Sequence, residues 1–241
     1  MRENAIPANL GLALAMEQLT GPGEEPPALR RMKKIIAGLD DPRPEKEAVI
    51  LAAAMDEFGR SGYKAASTNA IARQASVAKG LLFHYFDSKQ TLYNACVTQA
   101  AALFTREMYM RIPSTETDLF KRINALTLHK AAYFRQHISH ARLLGTEFLE
   151  NAAQTGSFWQ DYYVAFTYLM YRDVDTSRFR PDYGPNEIFR FVLSVFELYS
   201  RQIFTKYQGH WEDAVISYEP ILQELQKIEG LIQFGIYQRK E

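Results

Sequence analysis

The side chains best able to hold a metal or attack a substrate are few in this chain, and their spacing suits neither task. Of its five histidines, His129, His137 and His140 lie closest together. A zinc site needs His, Cys or acidic ligands gathered at one point, with pairs on a single helix face. His137 and His140 are three residues apart, but a helix boundary is expected at Ile138, and no cysteine or acidic cluster completes a set. No metal is expected. Cys96 is the only cysteine, which rules out an internal disulfide and a thiolate cluster. It falls in an apolar helical stripe, where a thiol serves as a small packed hydrophobe more often than as a redox sensor. A nucleophile elbow, a glycine-rich phosphate loop and a His-Glu metal motif are all missing from the sequence. The chain is therefore not expected to be an enzyme, and no cofactor is expected.

Chemistry of another kind is concentrated between Gly62 and Lys89. Ser67 is a good N-cap for a short helix whose inner face is Ile71, Ala72 and Ala75, small enough for a second helix to cross closely. Ser76, Val77 and Ala78 make a tight turn, with Val77 filling the gap between the helices. A second helix starts near Lys79 and turns Leu82 and Phe86 inward. Lys79, Gly80, Leu81, Phe83, His84 and Tyr85 are left outside, a wasteful surface unless something docks on it. Between residues 60 and 89 stand five basic residues (Arg60, Lys64, Arg73, Lys79 and Lys89) and one acid, Asp87, in a chain whose net charge is zero. A helix N-terminus, lysines and a glycine that permits close backbone approach suit the major groove of double-stranded DNA.

The block from about residue 48 to 92 resembles the DNA-binding domain of the TetR family of bacterial regulators. The resemblance is carried by the helix ending in Phe58, the Gly62-Tyr63 step, Ser67 four residues before Ile71-Ala72, and above all Val77-Ala78-Lys79-Gly80-Leu81-Leu82-Phe83-His84-Tyr85-Phe86 followed by Ser88-Lys89. It implies that Ser67 and Thr68 anchor the first helix of the motif on phosphate. Lys79, Gly80 and Leu81 would lie against base edges, Phe83, His84 and Tyr85 would straddle bases and backbone, and Lys89 would hold phosphate across the groove. The sequence departs from the family pattern at four places. Ser76 stands where glycine is usual, straining the turn by about 1 kcal/mol. Ala78 replaces a capping serine, Phe83 replaces a tyrosine and loses its hydroxyl, and Leu81 replaces a polar residue and can offer a thymine methyl only apolar contact.

The elements that must position this motif are helices. Apolar residues recur at helical spacing from Pro44 onward, with no sustained strand alternation and no Asn-Gly or Asp-Gly hairpin turn. The fold class is all-α, a helix-turn-helix DNA-binding domain plus a larger helical ligand-binding and dimerisation domain. The expected division is 1–43 as an N-terminal extension, 44–90 as the helix-turn-helix domain and 91–241 as the larger domain. Ahead of the motif, Val49, Ala52, Ala53 and Phe58 are expected to be buried, and Gly62 to end that helix in a left-handed conformation. Behind it, helices are expected over 88–111, 117–136, 139–153, 158–172, 186–207, 212–218 and 220–238.

In the larger domain the resemblance implies a pocket for a small, mostly apolar effector, and Phe104, Phe134, Phe148, Trp159, Tyr163 and Phe166 are its candidate contacts. Aromatic residues crowd this region, and core packing accounts for most of them. Tyrosine and tryptophan nonetheless bring polar tips that a purely structural core rarely needs in such number. The last two long helices carry wide apolar faces. By the same resemblance they would pair with their copies as a four-helix homodimer interface through Phe189, Val192, Phe196, Leu225 and Ile228. The expected function is a ligand-responsive transcriptional repressor; the rival is a helix-turn-helix nucleoid or adaptor protein without an effector.

Residues 1–43 hold five of the ten prolines. A short helix over 9–20 would be followed by a proline-rich linker. Leu29, Met32, Ile36 and Leu39 then recur at helical spacing with Arg30, Arg31, Lys33 and Lys34 on the other faces. Two readings stand. The extension is a disordered or loosely docked tail, or its basic helix packs on the DNA-binding domain and lends charge to flanking phosphates. No stretch approaches the ~20 apolar residues of a membrane span, and Arg2 and Glu3 cancel ahead of the short run 10–16, unlike a signal peptide. A cytoplasmic location without membrane contact is expected.

Overall fold

The computed structural model describes residues 25–112, 115–150, 156–207, 210 and 218–236, with the side chains of 148–150, 156–160 and 204 left undescribed. The described residues form ten α-helices and no β-strand. The helix expected over 9–20, and that over 212–218 except for Tyr218, lie outside them.

Helix α1 (Pro27–Ala37) starts on Pro26 with Pro27 in its first turn, where a missing amide costs nothing. It leads through a 3-10 turn (Gly38–Asp40) to α2 (Glu45–Ala65). The buried stripe of α2 is Ile50, Leu51, Ala54 and Phe58, together with Ala53, whereas Val49 is 40% exposed and Ala52 is exposed as well. The expected stripe is therefore corrected at two of its four positions, Val49 and Ala52, because Ile50, Leu51 and Ala54 are the side chains in phase with Phe58 at 3.6 residues per turn. Gly62 does take a positive φ, but at φ 70° and ψ 166° it kinks the chain instead of stopping it, and a last helical turn follows to Ala65. Only glycine occupies that region at low cost.

Short α3 (Thr68–Gln74) and α4 (Lys79–Phe86) follow, then α5 (Lys89–Arg111), capped by the Ser88 hydroxyl, which accepts the Thr91 amide at 3.1 Å. Helix α6 (Leu119–Gln136) is capped by Asp118, whose carboxylate accepts the amides of Phe120 and Lys121. Helices α7 (Ile138–Glu150), α8 (Gly156–Tyr171), α9 (Pro185–Lys206) and α10 (Tyr218–Ile236) complete the described chain.

One continuous apolar core runs from the short helices to the end of the chain, including Leu82 of α4, Leu92 and Phe104 of α5, Leu143 of α7, Val192 of α9 and Ile232 of α10. Helix α5 threads it from end to end, and at 1.5 Å per residue it spans about 34 Å. Helix α2 packs along α7 and α5. That seam is close, since a Cβ placed on Gly59 would come within 2.9 Å of the Ser139 carbonyl oxygen.

Helix α1 corrects an expectation. Its principal partners are α8 and the distal part of α5. Leu29 and Met32 are fully buried against Ala165, Tyr168 and Leu169 of α8, with Tyr109 and Ile112 alongside. Arg31 is spent on a two-pronged ion pair with Asp161, both contacts 2.6 Å, and Lys33 reaches Glu25 at 2.7 Å. The turn after it is tied to α5 by Arg106 and Asp40 at 3.0 Å. The apolar stripe sought the larger hydrophobic partner, and α8 offers one. Its docking place is thus remote from the helix-turn-helix.

Candidate nucleic-acid interface and ligand cavity

The first short helix of the motif is fixed at its N-terminus by two acceptors. Ser67 Oγ accepts the Ala70 amide at 3.3 Å, the expected cap, and the Ser67 amide donates to Glu57 Oε1 at 2.9 Å. Glu57 is a buried acid on α2 that also accepts from Arg60 Nη2 at 2.7 Å and from the Ser61 hydroxyl. The Ser67 amide, aided by Arg60, holds its carboxyl below the usual carboxylate range against the opposing effect of burial. Sequence reasoning passed over Glu57, since an acid inside an amphipathic helix shows no sign of facing inward.

Ile71, Ala72 and Ala75 form the inner face of α3, all buried. Ser76 carries φ 54°, the left-handed turn residue that its position predicted. Val77 is half-buried against the core, and its amide donates to Ala72 O at 3.0 Å. Helix α4 begins on Ala78 without a side-chain cap, and Leu82 and Phe86 anchor it in the core.

On the opposite face Lys79, Gly80 and His84 are exposed, together with Ser67, while Thr68 is half-buried. Leu81, Phe83 and Tyr85 are half-buried instead of free, and Phe83 and Tyr85 pack their inner edges on the core. Lys79 Nζ stands 5.9 Å above the Phe83 ring, and the His84 and Tyr85 rings meet edge-on at 5.6 Å. The expectation that all six lie outside is corrected accordingly: on a two-turn helix, side chains flanking Leu82 and Phe86 cannot clear the core entirely. A Cβ on Gly80 would meet nothing within 4 Å, so internal packing makes no demand for glycine there. Lys89 is half-buried; its ammonium donates to the Lys64 carbonyl at 3.2 Å and lies 5.0 Å from the centre of the Tyr63 ring. It ties the start of α5 to the end of α2.

Farther along α5, Phe104 and Met108 reach a cavity of about 290 Å³ lined by α5 to α10. Four of the six candidate ligand contacts line it: Phe104, Phe134, Tyr163 and Phe166. The side chains of Phe148 and Trp159 lie outside the described residues. Polar groups the sequence did not single out share the wall, among them Lys130, Thr167, Tyr171 and Glu197. Burial lowers the Lys130 ammonium to about 8 and raises the Glu197 carboxyl. Behind the wall, Arg122 is fully buried and donates to the Leu169 carbonyl at 2.6 Å, satisfying an acceptor in the last turn of α8.

Among the described residues no three metal-ligating side chains gather at one point. Tyr133 and His140 Nδ1 share a hydrogen bond of 2.7 Å, His137 stacks on His140, and burial with the His137 charge lowers His140 to about 4. Cys96 is buried, with its thiol pushed up to about 12. No described helix is long and apolar enough to cross a membrane.

The five candidate dimer residues are turned toward their own protomer. Phe189 stacks on Tyr171 at 4.1 Å, Val192 and Leu225 are buried, and Phe196 and Ile228 are half-buried against the core. The exposed apolar side chains of α9 and α10 are Phe191, Leu198, Leu231 and Phe234, at 54%, 61%, 76% and 80%. Each helix carries apolar side chains on its outer face as well as its inner one, so periodicity alone could not tell the two stripes apart.

Two short helices with a tight turn, Lys79 and His84 exposed on the second, and an apolar cavity in the attached bundle define a helix-turn-helix protein with a cavity-bearing helical body. Residues 50–96 match the family described as bacterial regulatory proteins, tetR family. The fold is shared with a tetR family transcription regulator from Shewanella sp. PV-4, as that protein is described (TM-score 0.57, 18% identity, covering 81% of this chain and 100% of the other). It is shared also with a TetR-like transcriptional regulator from Rhodococcus sp. RHA1 (0.54, 17%, 77% and 98%). A third likeness is to NalD, the secondary repressor of the MexAB-OprM multidrug efflux pump in Pseudomonas aeruginosa (0.51, 20%, 81% and 98%). Residues 50–96 thus carry the DNA-binding block of the TetR family, and the chain as a whole is similar in fold to these regulators.

Proposed function

We propose that the protein is a ligand-responsive repressor that grips a pseudo-palindromic operator as a homodimer and lets go when a small, mostly apolar effector fills the cavity. The observation that carries this reading is the placement of α5. It starts beside the recognition surface, at Lys89, and reaches the cavity at Phe104, about 22 Å along the helix. Helix α7 gives a second link, lining the cavity with Ala141 and Leu144 while packing on α2. An occupant that moves these helices moves the α3–α4 pair with them, and in a dimer such a shift alters the spacing of two recognition helices.

In this reading Ser67, Thr68 and Lys89 hold phosphate, Lys79, Gly80 and Leu81 face base edges, and Phe83, His84 and Tyr85 bridge bases and backbone. Selection of DNA from a random pool, followed by footprinting, tests it. A short symmetric site is expected, and a nucleoid or adaptor protein would select none. On that site Lys79→Ala and Tyr85→Ala are expected to weaken binding about tenfold or more at unchanged helicity, since contacts of charged groups are worth ~1.5–3 kcal/mol. Wild-type affinity in both variants removes this docking model.

A further inference from the structure

Two hydroxyls on the wall of the cavity point to the chemistry of its occupant. The wall is aromatic and aliphatic apart from a few groups, and several of those are engaged within the protein. Tyr199 donates its hydroxyl to Glu224 at 2.9 Å, and Tyr218 donates to the Thr127 carbonyl at 2.9 Å. Glu197 lies 3.7 Å from Arg201 one turn along α9, and Lys130 is likewise engaged. Thr167 and Tyr171 differ. They stand one turn apart on α8, and their buried hydroxyls have no hydrogen-bond partner among the described residues. A helical threonine can satisfy its hydroxyl on the carbonyl four residues back, as Thr105 does on Ala101 at 2.7 Å. Thr167 makes no such bond. A buried hydroxyl left unpaired is costly, so two of them on one cavity wall mark positions where a ligand atom completes the bond.

Resting on the reading of this cavity as the effector site, we propose that it takes an uncharged, ring-bearing apolar molecule whose carbonyl oxygen accepts hydrogen bonds from Thr167 and Tyr171. A carbonyl oxygen has two lone pairs and no proton, so one such atom can satisfy two donors. The ring faces have counterparts on the wall, where Phe104 lies parallel to Phe134 at 5.0 Å and Tyr162 stacks on Phe166 at 5.7 Å. A net charge on the ligand would need a counter-charge in these apolar surroundings, and the wall's Lys130 and Glu197 already have contacts of their own.

The test is equilibrium titration of the full chain with benzophenone, its isostere carrying a methylene group in place of the carbonyl oxygen, and diphenylacetate. Benzophenone is expected to bind about tenfold more tightly than the isostere, and more tightly than diphenylacetate. Thr167→Val and Tyr171→Phe nearly preserve side-chain shape and remove only the hydroxyls. Each should reduce the preference for the ketone, and together they should erase it, with affinity for the isostere unchanged. Without ligand the same variants should melt a few degrees higher than the parent, since each loses a hydroxyl that nothing satisfies. A lower melting temperature in both would mean that the hydroxyls serve the fold, and overturns the proposal. Equal affinity for ketone and isostere overturns it too, as does a preference for diphenylacetate, which makes this a site for anions. If none of the three binds, the effector reading falls with it. If the ketone binds through the two hydroxyls but leaves operator affinity unchanged, the carbonyl inference stands and the effector reading alone fails.

Discussion

Glycine at position 80 serves nothing inside the protein. It lies in the first turn of α4, where a Cβ would meet open space, and alanine is the better helix former by up to ~1 kcal/mol. Gly80→Ala should therefore leave the protein as stable as before or slightly more so, yet weaken operator binding, because in the proposed docking the added methyl stands where bases approach. Denaturant unfolding beside a DNA titration measures both. A variant that is more stable and binds as well as the parent would show that no close approach occurs there. Glu57 is the opposite case, an internal post on which α3 is hung. Its carboxyl is held below the ordinary range, so the stability it contributes is present above its unfolded pKa and lost as pH falls through the acid range below it. Glu57→Gln should cost about 1–3 kcal/mol at pH 7, and the gap between variant and parent should narrow as pH falls through the acid range. A gap that stays constant with pH would mean that the charge is not what matters. The two residues also mark what a sequence discloses. Exposed positions on α4 were legible from a motif string, because recognition reads residue type in order. Glu57 and Arg122 were not, because their roles come from what another helix places against them.

At the scale of the helices, spacing gave types and approximate ends, and partners were harder to foresee. The Leu29, Met32 stripe of α1 announced a buried face without naming the surface that buries it. Nearness along the chain suggested the DNA-binding block; the larger apolar wall of α8 prevailed, and Arg31 found Asp161 across 130 residues of sequence. Removal of everything before Arg43 should then lower the melting temperature while leaving the salt dependence of operator binding unchanged, since each lost phosphate contact would shift its slope by roughly 0.9. Met32→Ala, at a fully buried site, should by itself cost about 2–5 kcal/mol. A shallower salt slope in the shortened chain would return the basic helix to the DNA. At the α2–α7 seam Gly59 leaves no room for a side chain against the Ser139 carbonyl. That close approach suits a joint that passes displacement from the cavity wall to the motif.

Across the whole molecule, the proposed homodimer needs a surface that holds two recognition helices at a fixed spacing. The apolar side chains that α9 and α10 leave exposed meet that need better than those they bury. Phe191 and Leu198 lie seven residues apart on one face of α9, and Leu231 and Phe234 three apart on α10, so each helix offers a short stripe. A self-complementary interface built from these four side chains would cover surface that is costly to leave in water. The inner residues Phe189 and Val192 serve each protomer's own core. The two groups therefore fail differently when changed. Leu198→Glu combined with Phe234→Glu should give a folded monomer with full helicity, an intact cavity and operator binding weakened by orders of magnitude, because the two half-sites are no longer gripped together. Val192→Glu should instead unfold or aggregate the chain, since it buries an unpaired charge in the core. Light scattering and helicity on both variants separate the alternatives. A Leu198→Glu, Phe234→Glu protein that remains dimeric would place the interface elsewhere on the molecule.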